Sequence, residues 1–124
     1  MFGLFERREW NPETLPELRG SYGLLKVTVR NLPCLYDAKS ETRKYAYPNF
    51  GNDFLLALHE QLGDFDLLCA KLKAGASAQA FVTLSSYSPI VVELTGTPNS
   101  SRRQFDSDLA DALIEAFKSA KLRA

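Results

Sequence analysis

Apolar and polar positions alternate most regularly between Tyr22 and Leu32, where Leu25, Val27 and Val29 interleave with Lys26, Thr28 and Arg30. A period of two sends successive side chains to opposite faces, so residues 22–32 predict a half-buried strand that Pro33 closes. Two further β-rich runs, 79–85 and 90–96, flank Ser85-Ser86-Tyr87-Ser88-Pro89, which has the composition of a connecting turn. They predict a hairpin.

Elsewhere the period lengthens to that of a helix. Asn52 suits an N-cap, Phe54, Leu55, Leu58 and Leu62 share one face, and Gly63 is a stop, which predicts a helix over 52–62. Phe65, Leu68, Cys69 and Leu72 repeat the spacing between Asp64 and Gly75, favouring a second helix over 64–74. Phe65, Leu67 and Cys69 also alternate, which leaves a strand as the other reading. Over 102–122, Ser101 with Gln104 fits a capping box, and Phe105, Leu109, Leu113, Ala116, Phe117 and Ala120 line one face. Lys118, Lys121 and Arg123 complement the dipole at its end.

Two stretches lack a sustained period. Residues 33–50 read as a long, partly extended connection, with Arg43 to Tyr47 suited to a short edge strand. Residues 1–20 read as an arm, because Pro12 and Pro16 break any continuous helix there. The expected architecture is α+β: an N-terminal arm 1–20, then one domain 21–124. In that domain a small antiparallel sheet is covered on one face by two or three helices.

Composition agrees with one globular unit. The 124 residues are 45% hydrophobic and 24% charged, which supports a packed core. Lysine and arginine equal aspartate and glutamate at 15 each, so no global field draws the chain to a polyanion or an anionic membrane. The apolar start, Met-Phe-Gly-Leu-Phe, meets charge at Glu6 and is too short for a secretory or membrane-spanning segment. With only two cysteines, Cys34 and Cys69, in apolar surroundings, a cytoplasmic location is expected.

Candidate chemistry is sparse. His59 is the only histidine; it precedes Glu60 as in a zinc-protease helix, but the second histidine that motif needs is replaced by Gly63. No metal or cofactor is expected, and His59 reads as a solvated or half-buried helix residue. No nucleophile elbow or phosphate-binding glycine loop occurs. Asp106, Asp108 and Asp111 crowd the start of the last helix, where exposed amides stabilise acidic groups.

The interaction candidates are aromatic and cationic. Tyr36, Arg43, Lys44, Tyr45 and Tyr47 interleave rings with charge as single-strand nucleic-acid binders do. Arg102 and Arg103 precede a helix N-terminus, a place suited to a phosphate or a partner's carboxylates, though arginines turned to solvent are the simpler reading. Phe2, Phe5 and Trp10 either fold back onto the domain or meet another chain. The leading expectation is a non-enzymatic accessory protein that binds another protein, a class that includes immunity proteins and phage-type inhibitors. A single-strand RNA or DNA binder using 36–50 is the second reading, and a small enzyme with a site assembled only by folding is the third. A homo-oligomer is compatible with each, and no membrane partner is expected.

With no ligand set for a structural ion, the thermal midpoint of the purified protein should be the same with and without a strong chelator. A large drop on chelation would contradict this account of His59, Cys34 and Cys69.

Overall fold

The computed structural model describes residues 10–45, 50–83 and 89–118. Seven strands and three helices follow in the order β1 (Trp10–Thr14), β2 (Leu18–Tyr22), β3 (Leu25–Arg30), β4 (Pro33–Asp37), β5 (Thr42–Tyr45), α1 (Phe50–Leu62), α2 (Phe65–Lys73), β6 (Ala78–Val82), β7 (Ile90–Gly96) and α3 (Arg102–Lys118). The strands form two antiparallel sheets, β1-β4-β5 and β2-β3-β7-β6. The α+β class is as the sequence predicts; the second sheet is not.

The four-stranded sheet realises the alternation. Leu25, Val27 and Val29 are buried on the same face as Ala78, Ala80 and Val82 of β6 and Ile90, Val92 and Leu94 of β7. All three helices cover that face, α3 over β2 and β3, α1 over β6, and α2 beside β6 and β7. Phe54, Leu58, Leu72, Phe105, Leu109 and Phe117 complete the core, with Phe54 edge-on to Phe117 and Phe65 edge-on to Phe105. The opposite face carries Arg19, Lys26, Thr28, Arg30, Glu93, Gln79 and Phe81, and no described helix lies on it.

The helix signals are largely met. Asp64 caps α2 by accepting from the Asp66 and Leu67 amides at 2.8 and 3.1 Å, which settles 64–74 as helix rather than strand. Half of the expected capping box forms on α3: Ser101 Oγ accepts from the Gln104 amide at 3.4 Å. The Ser101 amide goes to Asn99 Oδ1 and the Gln104 side chain to Asp108. α1 begins at Phe50, so Asn52 lies inside the helix and not at its cap.

Two expectations fail. Residues 10–20 are not merely an arm, since β1 and β2 belong to the two sheets and Leu15 and Leu18 enter the core. The supposed connection 33–50 contains the hairpin β4–β5, which extends the expected edge strand into a sheet. Both errors come from treating proline as a terminator. Pro12 stands on the edge strand β1 and Pro33 opens β4, positions where a missing amide is tolerated.

One register runs through both sheets. Facing residue numbers add to the same total in β2/β3, from Tyr22↔Leu25 to Leu18↔Val29, and in β1/β4, from Thr14↔Pro33 to Trp10↔Asp37. The Leu15 amide, donating to the Leu32 carbonyl at 2.9 Å, continues that register between them. Residues 10–22 and 25–37 are therefore a single ribbon, folded over at Asn31, whose φ is 63°. Gly23, at φ 62°, supplies the first central position of its two-residue turn, as a type II′ geometry requires.

Helix α3 crosses this ribbon at Gly20. A Cβ placed there would lie inside contact distance of the Ala112 carbonyl oxygen and 2.5 Å from the Ala116 amide nitrogen, both backbone atoms that cannot turn aside. Gly20→Ala should therefore destabilise the fold by about 3 kcal/mol or more, measured as a lowered denaturant midpoint. An unchanged midpoint would mean that α3 does not lie this close to β2.

Candidate functional site

The three-stranded sheet gathers polar chemistry on one face. Register places Tyr36 directly opposite Arg43 and Asn11, and two residues back along β4 it places Cys34 opposite Glu13 and Tyr45. Positions two apart share a face, so β1, β4 and β5 bring Glu13, Cys34, Tyr36 and Arg43 together. Arg43 Nε donates to Glu13 Oε1 at 2.6 Å, and its guanidinium carbon sits 4.7 Å from the centre of the Tyr36 ring. Cys34 Sγ donates to the same Glu13 oxygen at 3.6 Å.

This geometry sets the electrostatics. The hydrogen bond to Glu13 raises the Arg43 guanidinium above its ordinary range. Burial, reinforced by the Glu13 charge, pushes the Cys34 thiol from 9.0 up to about 11. Cys69 is raised too, chiefly by burial. Nucleophilic cysteine chemistry works through the thiolate, and both thiols are held protonated at neutral pH. On the other face of β4, Asp37 is buried and accepts from the Lys39 amide at 3.2 Å and Ser40 Oγ at 2.7 Å, closing the β4–β5 turn.

A second cluster joins α1 to α3. His59 Nε2 lies 3.4 Å from Asp106 Oδ1, and His59 Nδ1 lies 3.4 Å from Arg102 Nη2. Arg102 also reaches Asp106 at 3.8 Å and stacks 5.5 Å from the Phe65 ring centre. Both nitrogens of this half-buried imidazole, on α1, stand beside groups of α3. The cluster therefore works as a tether between helices.

The third feature is a shallow cleft of about 490 Å³ between the end of β2 and α3, lined by Ser21, Tyr22, Asp111, Ile114, Glu115 and Lys118. Its edges are partly neutralised, because Lys118 pairs with Glu115 at 3.2 Å.

The sequence candidates thus divide. Tyr36 and Arg43 are brought into contact; Lys44 and Tyr45 continue β5, and Trp10 opens β1 opposite Asp37. Arg102 turns onto His59 and Phe65 instead of standing ready for an anion, while Arg103 is exposed. Phe2, Phe5 and Tyr47 lie outside the described residues. The acidic trio needs a different explanation from the helix N-terminus, since the first turn of α3 holds no acidic residue. Asp106 serves the tether, Asp108 accepts from Gln104 at 2.9 Å and Asp111 lines the cleft. Glu13 escaped sequence reading altogether, because 30 positions separate it from Arg43 and only strand register joins them. Among the described residues no group of three or more His, Cys, Asp or Glu could hold a metal ion, and no helix is long and apolar enough to cross a membrane.

Comparison with protein-family models, curated proteins and solved structures finds no match for this chain.

The raised thiol has a signed consequence. With a folded value near 11 and an unfolded value near 9.0, the folded chain retains a proton that the unfolded chain releases between them. The stability linked to Cys34 is then fully present below pH 9 and is lost as pH climbs towards 11. Denaturant titrations across this window should show wild type losing about 2 kcal/mol relative to Cys34→Ala. Parallel profiles for the two proteins would contradict the burial and charge assigned to Cys34.

Proposed function

We propose that this protein acts by binding another protein, and that the Glu13–Tyr36–Arg43 face of the β1-β4-β5 sheet is its contact surface. The carrying observation is the fixed position of Arg43, held by a 2.6 Å carboxylate bond and a ring 4.7 Å away while remaining partly exposed. Arginine and tyrosine are the side chains that most often dominate interface energies. Ordering them before the encounter reduces the entropy lost on association.

The same contacts weigh against the nucleic-acid reading. Glu13 answers the charge of Arg43, and the whole chain has zero net charge, whereas phosphate binding draws on unanswered cations. A non-enzymatic accessory role in the cytoplasm suits the two free thiols, both buried and neither joined in a disulfide. Within that class, an immunity protein or a phage-type inhibitor is the narrower form we favour, on analogy of size alone.

Affinity capture of tagged protein from its native host, with and without nuclease, tests the proposal. Wild type should retain a specific protein partner after nuclease treatment. Tyr36→Ala and Arg43→Ala, each shown to be folded by circular dichroism, should weaken the complex about tenfold or more. Capture that vanishes with nuclease, or salt-steep binding of labelled single strands, would transfer the surface to nucleic acid.

A further inference from the structure

Exposed apolar side chains are ordinary when scattered and mark contact sites when gathered. Of the six large ones left exposed among the described residues, Tyr22, Leu24 and Ile114 gather at the cleft between the end of β2 and α3. Tyr22 and Ile114 line it, 47% and 51% exposed, and Leu24, 70% exposed, follows Gly23 in the turn at its rim. The cleft arises beside the Gly20 contact. Tyr22 lies two residues beyond Gly20 and so shares the strand face turned to α3, while Asp111, Ile114, Glu115 and Lys118 recur at the three- and four-residue spacing of one helix side. Where glycine lets the backbones touch they meet; next to it the larger residues leave about 490 Å³ between the two elements. The charges around this space are unequal. Lys118 is held by Glu115 at 3.2 Å, and Asp111 has no ionic or hydrogen-bond partner among the described residues. Two carboxylates against one ammonium leave the cleft negative on a chain whose total charge is zero.

We propose that this cleft receives a basic side chain of another protein, flanked there by an aliphatic residue. Arginine and lysine lay an apolar stem along a surface while the charged head stays in water or meets an opposite charge. Ile114 and Tyr22 offer the stem a wall, the Tyr22 ring offers the cation a face, and Asp111 offers the head a carboxylate. Leu24 on the rim meets the aliphatic neighbour. An acidic side chain would instead meet Asp111 and Glu115 with like charge. A small molecule fits less well, since such ligands lose most of their surface to a deep pocket and these walls stay half exposed. Both members of the Glu115–Lys118 pair are more than half exposed, so their bond is weak enough for an incoming cation to displace Lys118. The cleft lies at the opposite end of the ribbon from Tyr36 and Arg43, which makes it a second contact separate from that face.

Random peptides displayed on phage supply the probe. They are first depleted on the immobilised Ile114→Asp chain and then selected on wild type, so that binders of other surfaces are removed. The surviving sequences should place arginine or lysine beside an aliphatic residue, and a synthetic peptide of that sequence should shift the Tyr22, Asp111 and Ile114 resonances of the full chain. Asp111→Asn should weaken this peptide about tenfold, whereas Lys118→Ala, which removes the competing cation, should tighten it about threefold. Opposite signs at these two positions separate a cleft that selects charge from one that is merely apolar. Affinity should also fall from low to moderate salt. Circular dichroism melts confirm that each variant is folded. Enrichment of acidic or wholly apolar peptides, no enrichment after depletion, weakening by Lys118→Ala as by Asp111→Asn, or a wild-type dimer that Ile114→Asp dissolves would each overturn the inference.

Discussion

The contact between Gly20 and the backbone of α3 at Ala112 and Ala116 sets the spacing of everything above the four-stranded sheet. A helix normally stands off a sheet by the thickness of the side chains between them. Here a residue with no side chain meets two alanines that are fully buried, and the backbones come together. This closeness lets Phe105, Leu109 and Phe117 reach past the contact into the core, where Phe65 and Phe54 meet them edge-on. A larger residue at any of the three positions would lift α3 and loosen those aromatic contacts.

What sequence could reveal follows from how local each cause is. The strands β3, β6 and β7 and all three helices follow from their own period, since each buries one face and shows the other. The sheet β1-β4-β5 carries no such period, because Cys34 and Asp37 of β4 are buried on opposite faces. A strand with a buried residue on each face does not alternate, and the sheet's prolines stand at an edge and a strand start, where they mimic loop signals. Tyr36 and Arg43 were visible as interaction candidates by residue type. Their partner Glu13 was not, nor was the junction of His59 with Arg102 and Asp106, because those meetings depend on how distant elements pack.

Electrically, several charges among the described residues are answered in close pairs. Arg43 is answered by Glu13, Arg30 by Glu17 and Glu93, Arg102 by Asp106, and Lys118 by Glu115. Glu17, hydrogen-bonded to Arg19 and Arg30, is held below its ordinary range by them. Most of these pairs are solvent-exposed, so each contributes little to stability, on the order of 0–1 kcal/mol. For the protein-binding role proposed above, such pairs would present short dipoles of fixed direction instead of a uniform field, which rewards matching geometry over mere opposite charge.

The ribbon of residues 10–22 and 25–37 gives the chain an unusual intolerance of length. Most turns accept an added residue, since the disturbance stops at the next element. In this ribbon the two-residue turn at Gly23 and Leu24 numbers every pair out to Trp10 and Asp37. One extra residue there would move Leu25, Val27 and Val29 out of the core, and on the second sheet it would separate Glu13 from Cys34 and Arg43 in the same stroke. The register that buries the strands of one sheet therefore also fixes the arrangement of the other. A polar sheet face with few apolar residues of its own is held in place by the packing of a hydrophobic core.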